Sequence, residues 1–261
     1  MKLSQLIAIS GFVLFFMACG KQENALTIVN SKSFAEKQIT LDDSLAKRFS
    51  ADTTLTAQEP TELINRLEEL ISRSQKLKES ESDSSWISLL KGWEDVKKDP
   101  AISSADTTAE AKLILQKLAE LNIGLLKFSG EVRFVDALEK LVYEQPVSVL
   151  TEGTLKSVIY THLFDQIFIN LLGSSSLTHY HTTGGTVKLT QRTDFPKSNI
   201  MTLTCETNDA RYLDVFIRIP EWAVNPTVAH GNVKYVAHPG EYCQISRKWK
   251  DKDEFFIILK N

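Results

Sequence analysis

"LDVFIRIPEWAV", residues 213–224, alternates like a strand and then stops at a proline. Leu213, Val215, Ile217 and Ile219 fall on one side of an extended chain, with Asp214 and Arg218 on the other, the pattern of a half-buried strand. Pro220 has no N–H to continue a ladder, so it forces an exit, and Trp222 is expected to fold back over the open end of a sandwich. The same period of two runs through "VKLTQRT", "IMTLTCET", "YLDVFIRI", "EYCQISR" and "EFFIILK", separated by "DFPKSN", "TNDAR", "HPG" and "KDKD" turns. "FDQIFINLL" reads as an earlier strand of the set. Six or so strands with no helix between them predict antiparallel sheets packed as a sandwich over residues 160–261.

Upstream the period becomes 3.6. In "TELINRLEELISRSQKL" the residues Leu63, Ile64, Leu67, Leu70, Ile71 and Leu77 make one apolar stripe. "ESESDSS" then supplies a cap for "WISLLKGWEDV", whose Trp86, Leu89, Leu90, Trp93 and Val96 repeat it. A third helix opens at Thr107-x-x-Glu110, a capping box, and ends at Gly130. The fourth, in "VRFVDALEKLVYEQ", turns Phe134, Val135, Leu138, Leu141 and Val142 inward and closes at Pro146. Residues 60–145 are therefore an α-helical block, and the fold class is α+β by segregation, helices first and an antiparallel β-sandwich after them.

The first residues bear on location. Lys2 precedes an apolar run of 13 residues, Leu6 to Ala18, too short to span a bilayer comfortably and suited to the core of an export signal. Cys19 follows directly, which resembles a bacterial lipobox, although Phe16 and Met17 depart from its commonest pattern. On this reading residues 1–18 are removed, Cys19 carries lipid that tethers the chain to a bilayer, and residues 19–59, polar and without sustained periodicity, form a flexible tether. The expected setting is the envelope of a Gram-negative bacterium, at the outer membrane, facing the periplasm or the surface. A net charge of −3 over 261 residues leaves no basic field for nucleic acid. The two remaining cysteines, Cys205 and Cys243, alternate with apolar neighbours and read as buried thiols.

The ordered segments are similar to one known module. "FDQIFINLL", "VKLTQRTDFP", "MTLTC", "FIRIPEWA" and "GEYCQISRKWKDKDEFFIIL" resemble the C-terminal β-sandwich of glycoside hydrolase family 127, the β-L-arabinofuranosidase-like family. The matching positions are Phe168-Ile169-Asn170-Leu171, Leu189-Thr190-Gln191 with Phe195-Pro196, Ile217-Arg218-Ile219-Pro220 with Trp222-Ala223, Gly240 with Tyr242, and Trp249-Lys250 with Asp251 and Asp253. Lys252 stands where the family commonly has Gly, and other turn types are expected to accommodate it. More faintly, Ser129-Gly130-Glu131, Phe134, Asp136 and Tyr143 resemble the last helical hairpin of the family's α/α barrel. The rest of a barrel does not fit in this length, so residues 60–145 read as a barrel remnant.

The resemblance implies a cysteine nucleophile in a zinc site of further Cys and a Glu, with a separate Glu as acid/base and a Cys pair just before the first sandwich strand. "QPVSVLTEGTLKSVIYTH", where that pair belongs, contains no Cys. No catalytic residue, cofactor or metal ligand is carried over. Among local patterns, His179 and His181 share a strand face and can be read as two metal ligands lacking a third, or as strand-edge histidines. Glu144 and Glu152 read as a glycosidase pair or as solvated helix ends. Trp222 and Trp249 read as sugar-stacking rings or as fold-defining ones, and "KWKDKDE" as a solvated hairpin tip. The expected function is a non-catalytic anchored lipoprotein binding a glycan or a partner protein. The alternative is a diverged or truncated hydrolase of arabinose-containing glycans, and a third possibility is a fragment of a split gene.

Overall fold

The computed structural model describes residues 39–49, 61–77, 83–103, 108–145 and 149–260. The run Leu6–Ala18, Cys19, Thr107 and Pro146 lie outside them.

The helical block forms where the 3.6 period placed it. Helix α2 (Glu62–Lys76) is capped by Thr61, whose side chain accepts from the Ile64 N–H, and buries Leu63, Ile64, Leu67, Leu70 and Ile71. Helices α3 (Asp83–Lys97) and α4 (Pro100–Ser103) follow, then α5 (Ala109–Ser129) and α6 (Val132–Tyr143). The cap of α5 is Thr108, which accepts from Ala111, one residue later than the sequence suggested. Gly130 ends α5 with φ at 71°, a left-handed turn open to a residue without Cβ. The tryptophans of α3 pack: Trp93 is buried, donates to Asn122 Oδ1 at 2.8 Å and meets Phe134 edge-on, as Trp86 does.

Three further elements were not foreseen. Residues 39–49, assigned to the tether, belong to the folded body as strand β1 (Ile39–Leu41) and helix α1 (Asp43–Phe49). Their apolar residues are few but well spaced: Ile39, Leu41, Leu45 and Phe49 are all buried, and Arg48 donates to the Val142 and Tyr143 carbonyls at the end of α6. A further helix, α7 (Glu152–Ile159), capped by Thr151, leads into the sandwich and buries Leu155, Val158 and Ile159.

The strands that follow are β2 (Tyr160–Leu163), β3 (Gln166–Ile169), β4 (Ser175–Tyr180), β5 (Thr186–Thr193), β6 (Ile200–Thr207), β7 (Arg211–Arg218), β8 (Val224–His230), β9 (Val233–Tyr235), β10 (Tyr242–Trp249) and β11 (Glu254–Lys260). One sheet has the order β1-β4-β5-β6-β11-β8-β9, the other β10-β7-β3-β2. Pairing is antiparallel with one exception, β3 beside β7, which run parallel because β4, β5 and β6 lie between them in the other sheet. Helices and sheets share one apolar core.

Candidate functional site

Several of the residues that carry the resemblance converge where α6 meets the four-stranded sheet. Leu213, Val215, Ile217 and Ile219 face the core as their alternation required. Arg218 does not face water. It is fully buried, with Nη1 on Asp136 Oδ1 at 2.5 Å and Nη2 on Glu139 Oε2 in a shorter contact. Asp136 and Glu139, three apart on α6, share a helix face and so grip one guanidinium from above. Trp222 folds onto α6, not over the end of the sandwich: its indole N–H donates to Glu139 Oε1 at 2.7 Å. Phe195 stacks on Trp222 with planes 8° apart and meets the edge of Tyr143, whose hydroxyl donates to the Leu172 carbonyl. Beside Arg218 on the next strand, the Tyr242 hydroxyl donates to Asn170 Oδ1 at 2.6 Å. Asn170 Nδ2 in turn donates to the Val158 carbonyl and Thr161 Oγ1.

Burial pushes the Asp136 carboxyl above the ordinary carboxylate range; Arg218 pulls it back and Glu139 pushes it further up. Burial works against the charge on Arg218, yet Glu139 and Asp136 outweigh it and its pKa rises. The hydroxyls of Tyr143 and Tyr242 are likewise raised by burial. Both oxygens of Glu139 are occupied and Asp136 is held by the same cation, so this cluster is a brace between helix and sandwich.

The other candidates separate. Glu144 caps the end of α6, and Glu152 opens α7 with a 2.8 Å ion pair to Lys156; both are helix-end residues. Trp249 is fully buried and donates to the Leu213 carbonyl, out of reach of a sugar. Cys205 on β6 and Cys243 on β10 are free and buried in different sheets, and burial raises both thiols to about 12, with Asp253 adding to the rise at Cys205. The zinc site implied by the resemblance does not fit these residues, and among the described residues no group of three or more His, Cys, Asp or Glu is placed to hold a metal ion. The "KWKDKDE" hairpin is more than a solvated tip. Asp253 is buried, accepts from the Lys250 N–H at 2.9 Å and lies 3.4 Å from Arg247. Lys252 keeps the positive φ, 65°, that a glycine would take, so the turn type is retained and not exchanged.

His179 and His181 meet a partner the sequence did not flag. Asp165, in the turn between β2 and β3, lies 2.8 Å from His179 Nε2 and 3.4 Å from His181 Nε2, and accepts from both the N–H and the hydroxyl of Thr182. Thr183 N–H donates to His181 Nδ1, which fixes the Nε2–H tautomer, and that N–H points to the Tyr212 carbonyl at 3.0 Å. Burial opposes the charge on Asp165, but the hydrogen bonds from Thr182 and His179 outweigh it and hold the carboxyl below its usual range. The carboxylate therefore ties the β2–β3 turn to the end of β4 and the turn that follows it, at the end of the sandwich remote from α6.

Comparisons with known proteins agree with this geometry over part of the chain. Residues 166–260 match the family model described as β-L-arabinofuranosidase, GH127 middle domain. No curated protein matches. Among solved structures, a GH127 β-arabinofuranosidase is similar with a TM-score of 0.60 at 15% identity, over 83% of this chain and 47% of its own. A GH127 β-L-arabinofuranosidase from Geobacillus stearothermophilus T6 gives 0.57 at 16%, over 76% and 41%, and a glycoside hydrolase gives 0.50 at 19%, over 57% and 32%. At these identities the likeness is one of fold, and the chain spans less than half the length of each of these relatives. The sandwich segment, residues 166–260, accordingly resembles the GH127 middle domain, and the likeness of fold extends beyond it into the helical block.

Proposed function

We propose that this chain is a membrane-anchored envelope lipoprotein whose GH127-type sandwich holds a glycan without cleaving it. The observation that carries this reading is the engagement of its reactive groups: the junction carboxylates Asp136 and Glu139 close on Arg218, and the Cys205 and Cys243 thiols are buried with pKa values near 12. A glycosidase needs an attacking group reachable by the anomeric carbon and an acid able to protonate the leaving oxygen. Neither thiol nor the junction pair meets that need. The apolar run Leu6–Ala18 followed by Cys19 supports the anchor.

Two measurements test it. Full-length protein is expected to be retained on immobilised arabinan or arabinogalactan and to release no chromophore from an aryl β-L-arabinofuranoside; sustained turnover would restore the alternative, a diverged hydrolase. In cells fed an alkyne fatty acid, the protein is expected to incorporate label and Cys19→Ser to lose it. Label retained in that variant would remove the anchor from the proposal.

A further inference from the structure

We propose that the outer face of the seven-stranded sheet, around Phe256, Ile258 and Ile200, lies on an anionic phospholipid surface. This rests on the anchored reading above and says which side of the body meets the bilayer.

Alternation sets the face, and register makes it continuous. Phe255, Ile257 and Leu259 of β11 are buried, so Phe256, Ile258 and Lys260 point away from the core. Directly beside Phe256 and Ile258 on β6 are Thr202 and Ile200. On the other side, β8 sets Ala229, Thr227 and Val224 beside Phe256, Ile258 and Lys260. Ile200 is 53% exposed, Val224 51% and Phe256 46%. Apolar side chains in water are unfavourable, and a patch shared by three neighbouring strands marks a surface made to be covered. β6 and β11 are each paired on both sides, so they present no open strand edge to lipid.

The charges around the patch select what covers it. The row through Phe256 runs Arg192, Thr202, Phe256, Ala229, Lys234 across five strands, about 19 Å at the usual strand spacing, with a cation at each end. Lys260 is a third cation on the face. All three are exposed, and none is paired with a carboxylate among the described residues. Glu254, on the same face of β11, offsets one of them. Two cations remain in excess on a chain whose net charge is −3. A second copy packed on this row would set the Arg192 and Lys234 ends of one molecule against those of the other, whichever way the two-fold axis runs, and like charges would meet. Anionic headgroups instead meet the cations, while the boundary with the acyl chains takes the apolar residues.

The entry of the chain agrees. Strand β1 is the edge of this same sheet, and Cys19 precedes Ile39 by 20 residues, a reach of up to about 70 Å. From β1 to β11 is four strand steps, about 19 Å. A lipid on Cys19 therefore permits this face to lie flat on the bilayer and keeps it close by.

The test reads the two outer faces separately in the full-length protein mixed with vesicles. Cys205 and Cys243 are buried, and on the anchored reading lipid blocks the Cys19 sulfur, so an environment-sensitive fluorophore attaches to an added cysteine alone. The added cysteine is Ile200→Cys on this face, or Ser246→Cys on the outer face of the other sheet. With vesicles of equal parts phosphatidylcholine and phosphatidylglycerol, the protein is expected to float with lipid and to give blue-shifted emission from position 200 but not from 246. Vesicles of phosphatidylcholine alone are expected to leave position 200 in water. Arg192→Gln combined with Lys234→Gln is expected to float unchanged while the contact equilibrium at position 200 falls roughly thirtyfold, about fivefold for each basic residue lost from an anionic surface. Flotation with position 200 unshifted, or with 200 and 246 shifted alike, would overturn the face and leave the anchor standing. A shift at position 200 that grows with protein concentration in the absence of lipid would give the patch to a second copy and overturn the proposal. No flotation of wild type would overturn the anchor and the face together.

Discussion

Strand β7 starts with Tyr212 exposed and Asp214 half-buried on its outer face, and it ends with Phe216 and Arg218 buried on that same face. The alternation of the residues is regular throughout, so the difference lies in what covers them. Helix α6 reaches the Arg218 end and supplies two carboxylates; at the Tyr212 end none of the described helices arrives, and the outer positions carry Tyr212 and polar groups in water. The closed end shows how charged residues are kept inside, each with a partner. The open end shows the reverse: the hydrogen bonds around Asp165 are part-buried or exposed, and the outer positions beside them are left to water.

The sharpest way to break this contrast is at the closed end. Arg218→Met is expected to lower stability by about 3–5 kcal/mol in urea unfolding, because it leaves two buried carboxylates facing each other without a cation. Adding Asp136→Leu and Glu139→Leu to that variant should recover most of the loss; no recovery would mean that Arg218 acts through something other than its charge. Next in size, Trp222→Phe removes the N–H donor to Glu139 and should cost about 1–3 kcal/mol, with a smaller cost in the Arg218→Met background, as a double-mutant cycle will read. Lys252→Gly should gain about 0.5–1 kcal/mol by relieving a positive φ that has no partner function at the sandwich rim.

The smallest effect is a pH dependence at the open end. Burial, joined by His179, lowers the His162 pKa below its ordinary 6.5, although the Phe164 carbonyl and Asp165 act against this. Stability from neutral His162 is therefore complete above 6.5 and is lost as pH falls through 6.5 towards the folded value. His162→Gln should flatten the melting temperature over that interval. Asp165, whose carboxyl is depressed, loses its contribution only below its ordinary 3.8, so the two windows separate.

Long apolar stripes were legible without coordinates: the residues named for α2 and α6 are buried as their spacing required. Short elements were less so. β1 and α1 contribute few apolar residues and depend on β4 and α7 to exist at all, so their segment looks like a polar tether in isolation. Arg218 was read as a surface residue because strand alternation says which face a residue is on, not whether a helix lies over that face. Asp165 escaped notice although a signal was present: the two residues between "YTHL" and "QIFI" are the right number for a hairpin loop.

By itself the sequence determined that a helical block precedes the sandwich, which residues of the long stripes face the core, and the likeness of the sandwich to the GH127 middle domain, because periodicity and linked motifs are local or ordered along the chain. Only the tertiary structure decided that Asp136 and Glu139 close on Arg218 and that Asp165 joins two histidines. Those are encounters between residues far apart in the chain, and which ones occur depends on how α6 and the strand ends are brought together in space.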